Sequence, residues 1–278
     1  MKIGIHHTPG TFSDGWIKYC EKNQISWMKA DCYATDIIKQ LDDCDIFMWH
    51  FHQSNPKNIL FAKQLIYALQ CAGKVVFPDF NTCWHFDDKV GQKYLLEAVD
   101  APLVPGYVVY SRSDAMKWAS QTKFPKVFKL TRGAGSANVR LVSSREQAFK
   151  LVNKAFSGGF RQYNPLAGLN ERWRKYKLGK TNFTDLIEGV GRFIIKTDFE
   201  KVIGNERGYV YFQDFIPDNK YDIRVNFVYD KCFASRRFVR PRDFRASGSG
   251  INDTIMSAIP EKALRITFDV ASRLRLQT

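Results

Sequence analysis

The chain has 278 residues, 45% of them apolar and 14% aromatic, with 42 lysines and arginines against 28 acids and a formal charge of +14. This excludes a disordered chain and leaves ample material for two packed domains. The basic residues are spread along the chain with no block of five or six like charges, no nucleic-acid reading module and no basic stripe with aromatic platforms, so a specific nucleic-acid partner is not expected.

Strand and helix signals alternate from the start. Lys2–His6 reads as a strand, Asp14–Lys22 as a helix, Ile25–Lys29 as a strand, Thr35–Asp42 as helical, Ile46–His50 as a strand, Lys57–Cys71 as a helix and Val75–Pro78 as a strand. Alternation of this kind predicts a doubly wound parallel sheet with helices on both faces, over residues 1–86, whose crevice lies at the carboxyl ends of the strands. No run approaches the roughly 18 apolar residues of a membrane span. The amino terminus MKIGIHHTPG lacks the layout of a secretory signal. The six cysteines (20, 32, 44, 71, 83 and 232) include no CxxC pair, which points to reduced thiols in a cytoplasmic protein.

A second block, 87–278, opens with DDKVGQKYLLEAVDAPLVP, an amphipathic helix with Val90, Tyr94, Leu95 and Val99 at helical spacing. Tyr107–Tyr110 reads as a strand, Ser113–Ser120 as a helix with a serine cap, Lys126–Leu130 and Asn138–Val142 as strands, and Ser144–Phe156 as a helix. From 157 to 208 the chain is basic and punctuated by glycine, and NERWRKYKLGK and FTDLIEGVGRFI read as two amphipathic helices of an insertion. Tyr209–Gly250 returns to a strand pattern, and Pro260–Leu276 is a final helix.

The segment FKLTRGAGSANVRL holds the first chemical signal. Gly133 and Gly135 let backbone N–H groups approach phosphate oxygens, and Ser136 adds a hydroxyl donor. The lysine precedes the glycines and no GK[ST] follows, so this is not a Walker A loop; it leads into a strand, so it is not a dinucleotide fingerprint. Taken alone it also reads as a tight hairpin turn. Lys129, flanked by Phe128 and Leu130, argues for an anion partner, since a lysine is rarely buried without one.

Three ordered blocks resemble the ATP-grasp superfamily, closest in layout to the carboxylate–amine ligases that include the ribosomal-protein glutamate ligases. DDKVGQKYLLEAVDAPLVP resembles the lysine-bearing helix, which implies that Lys89 reaches nucleotide phosphate. FPKVFKLTRGAGSANVRLV resembles the strand lysine and phosphate-covering loop, with Lys129 as that lysine and Gly133, Gly135 and Ser136 in the loop. YVYFQDFIPDNKYDIRVNFV resembles the segment that receives adenine and ribose. There Gln213 stands where the family often has glutamate, the backbone of Phe215 and Ile216 would meet adenine, and Asp222 would take the ribose. Arg245 in DFRASGSG matches an arginine directed at phosphate.

The resemblance covers roughly 87–278 and implies an ATP-grasp fold of two α+β subdomains. The implied activity is an ATP-dependent carboxylate–amine (or carboxylate–thiol) ligase that works through an acyl phosphate. Lys129 and Arg245 would be catalytic, stabilising phosphate charge with Lys89. The implied partners are a small-molecule or polymer-linked carboxylate and an amine acceptor chosen by the amino-terminal block; a homodimer is compatible. In the family, magnesium is held by acidic residues and an asparagine on strands after the last helix. The sequence stops at Leu276-Gln277-Thr278, so Mg²⁺ ligands are expected beyond Thr278, the carboxyl end of the fold is expected to be incomplete, and no metal ligand is assigned within the chain. The alternative reading is a non-catalytic ATP-binding or polyanion-binding protein on the same scaffold.

Other features stay open. Arg236, Arg237, Arg240 and Arg242 read either as a solvated strand face or as further anion contacts. His6, His7, His50, His52 and His85 read as pocket polar residues, as loop histidines or as metal ligands, and their spacing specifies no zinc shell.

Overall fold

The computed structural model describes residues 1–132, 138–177, 179–240, 243–247 and 249–278. The chain forms two compact units, Met1–Phe86 with Val225–Phe233 and Glu261–Thr278, and Asp87–Arg224 with Ala234–Pro260.

The first unit is built from β1 (Lys2–His6), α1 (Phe12–Lys22), β2 (Ser26–Ala30), a single turn α2 (Ile37–Gln40), β3 (Ile46–Met48), α3 (Pro56–Cys71), β4 (Val75–Phe77) and α4 (Phe80–Cys83). The strands form one parallel sheet in the order β2-β1-β3-β4. Alternation sorts the two faces. Ile3 and Ile5 of β1 join Ile46 and Met48 of β3 against Trp16 and Ile17 of α1. Phe47 turns to the other face with Leu41, Ala62, Ile66 and Leu69. Gly4 belongs to that second face, where a Cβ would stand 2.3 Å from Leu41 Cδ2. Helices on both faces of a parallel sheet give the doubly wound unit that the alternating pattern predicts.

The second unit contains α5 (Lys89–Ala98), β5 (Gly106–Val109), α6 (Arg112–Gln121), β6 (Lys126–Lys129), β7 (Arg140–Val142), α7 (Arg145–Ala155), α8 (Pro165–Lys177), α9 (Phe183–Gly191), α10 (Asp198–Ile203) and β8 (Val210–Asp214). Its sheet has the order β5-β8-β6-β7 with every pair antiparallel. Phe128, Val210 and Phe212 face a core completed by Ala115 and Ala119 of α6 and by Ala148, Val152 and Ala155 of α7. The two helices bring small residues to the sheet, so the aromatic rings fill the space between: Phe212 lies 4.8 Å from Trp118 and 5.3 Å from Phe128, ring centre to ring centre.

Three strands, β9 (Tyr221–Val228), β10 (Lys231–Phe238) and β11 (Asn252–Asp253), form a further sheet in the order β11-β10-β9. The helix α11 (Glu261–Leu274) and the tip of the β9–β10 hairpin, expected from sequence within the 87–278 block, pack instead with the first unit. Side-chain and backbone bonds fix this. Gln277 accepts the N–H of Asp79 (2.8 Å) and donates to Val76 O (3.0 Å), its backbone N–H donates to Thr82 Oγ1 (2.8 Å), and its carbonyl receives Tyr229 N–H (3.0 Å). No helix among the described residues is long and apolar enough to cross a membrane.

Local boundaries shift for physical reasons. The helix expected at Ser113 begins at Arg112, because Ser111 is the cap and accepts Asp114 N–H at 3.1 Å. The strand expected from Asn138 begins at Arg140, since Asn138 donates its side-chain amide to Gln162 O at 3.0 Å. Where the sequence reads as two helices between 157 and 208, the described residues form three. The third, α10, is opened by a reciprocal cap between Thr197 and Glu200.

Phe212 is fully buried between two strands and a helix. Phe212→Ala is expected to destabilise the second unit by about 3–5 kcal/mol, read as a shifted urea midpoint. Val202→Ala at an exposed position of α10 in the same unit should change stability by no more than about 0.5 kcal/mol.

Candidate functional site

The cleft lies on the face of the β5-β8-β6-β7 sheet that turns away from α6 and α7. Along β6, Phe128 points into the core, so Val127 and Lys129 point out of it; along β8, Phe212 points in and Gln213 points out. Register then decides which side chains meet. Val127 stands opposite Gln213 and Lys129 opposite Tyr211, which makes Lys129 and Gln213 diagonal neighbours on one face. Lys129 Nζ donates a short hydrogen bond to Gln213 Oε1, and Gln213 Nε2 donates to Val104 O at 3.3 Å.

Lys89 enters the same cleft from the first turn of α5, where Asp88 caps the helix by accepting Gly91 N–H at 2.7 Å. Its Nζ donates to Thr131 O (3.3 Å) and stands 3.8 Å from Asp87 Oδ1. Burial lowers the pKa of Lys89, opposed by the nearby carboxylates of Asp87 and Glu206. Burial and then the neighbouring charge of Lys89 bring Lys129 down to about 8. Two ammonium groups thus stand half-buried in one cleft, with like charge between them.

The cleft has a volume of about 440 Å³. Its apolar wall is Val104, Val127, Phe215, Ile216 and Phe244, with Phe215 edge-on to Phe244 at 5.8 Å. Asp214, Asp222, Arg237 and Arg245 complete the lining. Each of its carboxylates already holds a cation. Asp214 pairs with Lys126, Asp222 is gripped by both Nε and Nη2 of Arg237 at 2.7 Å, and Asp243, beside the cleft, pairs with Arg245 at 2.6 Å.

All the sequence-predicted residues among those described therefore line one cleft: Lys89, Lys129, Gln213, Phe215, Ile216, Asp222 and Arg245. Gly133, Gly135 and Ser136 lie outside the described residues. The arginine cluster is not a solvated strand face. Arg236 pairs with Asp253 directly across from it in register, Arg237 with Asp222, and Arg240 Nη2 donates to Ser247 O at 2.9 Å. Arg242 is likewise outside the described residues.

The five histidines belong to the first unit. His6 is buried, and its Nδ1 receives Cys32 N–H at 3.2 Å. His7 Nδ1 lies 3.0 Å from Ser13 Oγ, His52 Nδ1 lies 2.6 Å from Ser54 Oγ, and His85 packs between Trp84 and Phe86. His50 sits edge-on to Phe12 at 4.6 Å, and burial lowers its pKa. Among the described residues no group of three or more His, Cys, Asp or Glu side chains could hold a metal ion.

One functional residue is missed by the sequence reading. Glu206 is buried and accepts the backbone N–H groups of Thr131 (2.9 Å) and Arg132 (3.0 Å), the amide of Gln162 (2.9 Å) and a short bond from the Tyr209 hydroxyl. Burial, and then the Glu206 carboxylate, pushes the Tyr209 hydroxyl pKa up. Gly159, with φ +72°, lets the backbone pass so close that a Cβ would stand 2.5 Å from Glu206 O. Since Thr131 O receives both the backbone N–H (3.1 Å) and the Nζ of Lys89, Glu206 fixes the segment on which Lys89 rests. The signal available in the sequence was faint: an acid three residues before a tyrosine at the start of a strand.

No family model matches the chain, and no curated protein matches it by sequence. Solved structures do match in fold. A RimK domain ATP-grasp protein from Sphaerobacter thermophilus aligns over 100% of this chain and 84% of its own, at 12% identity and a TM-score of 0.59. The D-alanine–D-alanine ligase of Bacillus anthracis, solved with ATP, aligns over 100% of this chain and 79% of its own, at 12% identity and a TM-score of 0.56. N5-carboxyaminoimidazole synthetase from Staphylococcus aureus aligns over 99% and 62%, at 14% identity and a TM-score of 0.51. This chain has the ATP-grasp fold.

Removing the charge of Glu206 leaves two backbone donors and an amide poorly matched. Glu206→Gln should cost about 1–3 kcal/mol of stability, measured by chemical denaturation. Amide exchange should rise at Thr131 and Arg132 and stay unchanged at Val152.

Proposed function

We propose that this chain is an ATP-dependent carboxylate–amine ligase, with a thiol as the other nucleophile class the chemistry admits. The observation that carries the reading is the shared burial of Lys89 and Lys129 beside an apolar wall. A cleft that gathers like charge suits a polyanion, and one that joins it to aromatic and aliphatic side chains fits a nucleoside triphosphate. In this reading Phe215, Ile216 and Phe244 enclose the adenine, and the backbone of Phe215 and Ile216 meets its edge. Asp222, oriented by Arg237, takes a ribose hydroxyl. Lys89 and Lys129 act as point charges on the phosphates, and Arg245 as a planar fork.

The reaction proposed has two displacements. A carboxylate oxygen attacks the γ-phosphorus and the bond to ADP breaks, giving an acyl phosphate. The amine then attacks the acyl carbon and inorganic phosphate leaves. Lys129 and Arg245 stabilise charge as it moves to the transferred group. Arg240, whose Nε is buried without a hydrogen-bond partner among the described residues, offers a fixed cation to the substrate carboxylate in the adjoining hollow lined by Ile216, Asn219 and Phe244. The amino-terminal unit is proposed to select the acceptor. Magnesium would supply charge neutralisation between phosphates in such a reaction, but the residues described do not fit it. Asp214, Asp222 and Asp243 are each engaged by a basic side chain.

A second reading, nucleotide binding without turnover, is favoured by that same commitment of every cleft carboxylate to a cation. The two separate on phosphate release from ATP in the presence of a panel of carboxylates and amines. Release that needs both co-substrates supports the ligase, and ATP binding with no release supports the second reading.

Lys129→Ala should weaken ATP by about 1.5–3 kcal/mol, the range for hydrogen bonds to charged groups, in calorimetric titration. Lys150→Ala on the exposed side of α7 should leave it unchanged. Equal losses for both would rule out Lys129 as a specific ligand.

The pH dependence follows from the lowered pKa of Lys129. The free cleft begins to lose this proton near pH 8, whereas a bound triphosphate holds the lysine charged. ATP should therefore bind most tightly below that pH and progressively less tightly as pH rises through it, with proton uptake on binding at pH 8. Titrations in buffers of different ionisation enthalpy measure that uptake. Lys129→Ala should reduce it.

A further inference from the structure

The insertion carries a surface that nucleotide chemistry does not use. Helices α8 and α9 lie against each other through Gly189, where a Cβ would come within 2.9 Å of Arg172 and 3.1 Å of Leu169, and through the Arg172–Asp185 ion pair. Leu186 and Gly189 face inward. The opposite face of α9 is apolar and open to water. Phe183, Ile187 and Val190 fall on one side at helical spacing, and Ile194 and Ile195 extend it, Phe183 being 62% and Ile194 88% exposed. On α8, Trp173 stacks on Tyr176 at 6.0 Å, Tyr176 meets Phe183 edge-on at 6.4 Å, and Lys177 lies over the Trp173 ring at 5.3 Å. The aromatic strip is thus continuous with the aliphatic face.

Charge selects the partner. Between Pro165 and Lys196 the chain has seven lysines and arginines against three acids. Arg172 sits between two of those acids, Asp185 and Glu188. Lys175, Lys177, Lys180 and Lys196 are exposed. A second copy of the same face would bring like charges together. Nucleic acid would use the cations and the aromatic rings but gain nothing from Ile187, Val190 and Ile194, which offer neither a stacking face nor a hydrogen bond. Hydrocarbon bordered by negative headgroups uses all three kinds of side chain: aliphatic residues below, aromatic rings at the interface, and lysines whose stems reach up to anionic groups.

We propose that the α8–α9 hairpin is a docking surface for the face of an anionic lipid bilayer, with Phe183, Ile187, Val190 and Ile194 entering the acyl boundary and the surrounding lysines meeting the headgroups. Binding is peripheral, reversible and weakened by salt, because the electrostatic part is screened over about 10 Å at 0.1 M. The surface holds a ligase-fold chain beside substrates carried on or released at a membrane, and it stands independently of the nucleotide reading.

The test is flotation of the full chain with vesicles of phosphatidylcholine alone and with 30% phosphatidylglycerol (about three in ten lipids, a physiological charge density). The wild type should float with the anionic vesicles, should float at least about tenfold less with the neutral ones, and should be released by raising salt to about 0.5 M. Ile187→Ser/Ile194→Ser and Lys175→Glu/Lys177→Glu should each reduce the bound fraction at least about tenfold, with thermal unfolding unchanged because all four side chains are exposed. Wild-type chain that stays with the soluble fraction at low salt overturns the proposal. So does flotation that both variants retain, or a concentration-dependent dimer that Ile187→Ser/Ile194→Ser abolishes in the absence of vesicle binding.

Discussion

The arrangement around the cleft depends on a single electrostatic conflict, the placing of Lys89 and Lys129 together where water is scarce. Burial lowers the proton affinity of both, and the charge of Lys89 lowers that of Lys129 further. The chain meets both with oxygen acceptors, an uncharged amide for one and a carbonyl with a nearby carboxylate for the other. Lys129 uses the amide oxygen of Gln213, and Lys89 a backbone carbonyl with Asp87 at longer range. A glutamate at 213 would neutralise the strand lysine more fully. An amide there leaves net positive charge in the cleft, ready for an anion.

Glu206 supplies the rest of the compensation without occupying the cleft. It bonds the backbone of Thr131 and Arg132 and adds a negative field at Lys89. Among the described residues three helices lie between α7 and β8. The insertion leaves from α7 and returns through the bridge between Phe160 and Glu206, so the chain is brought back to the sheet before β8 begins. The outward helices of that insertion are then free to carry a surface chemistry unrelated to the cleft.

The first unit achieves stability by another route. Its parallel sheet is covered on both faces by apolar side chains, and the carboxyl-terminal segment is tied to it through Gln277, which satisfies backbone groups at Val76, Asp79 and Tyr229 at once. Four of the six cysteines are buried there, and burial raises the pKa of each. They are packing residues with little thiolate character.

Much of this was written in local pattern. Alternating apolar runs and helical spacing determine the parallel unit, because side-chain periods of 2 and 3.6 are properties of the residues themselves. Lys129 between Phe128 and Leu130 already marks a cation that needs an anion partner. What local pattern could not decide was partnership across long separations. Register, set by the packing of Phe128 against Phe212, is what makes Lys129 and Gln213 meet. The pairing of Arg237 with Asp222, of Arg236 with Asp253 and of Glu206 with the Thr131–Arg132 backbone likewise required folded neighbours. So did the grouping of α11 with the first unit. An acid or an arginine reads the same in sequence whether it faces water or a buried partner, and only tertiary burial, which removes the competing water, determines which charges must find each other.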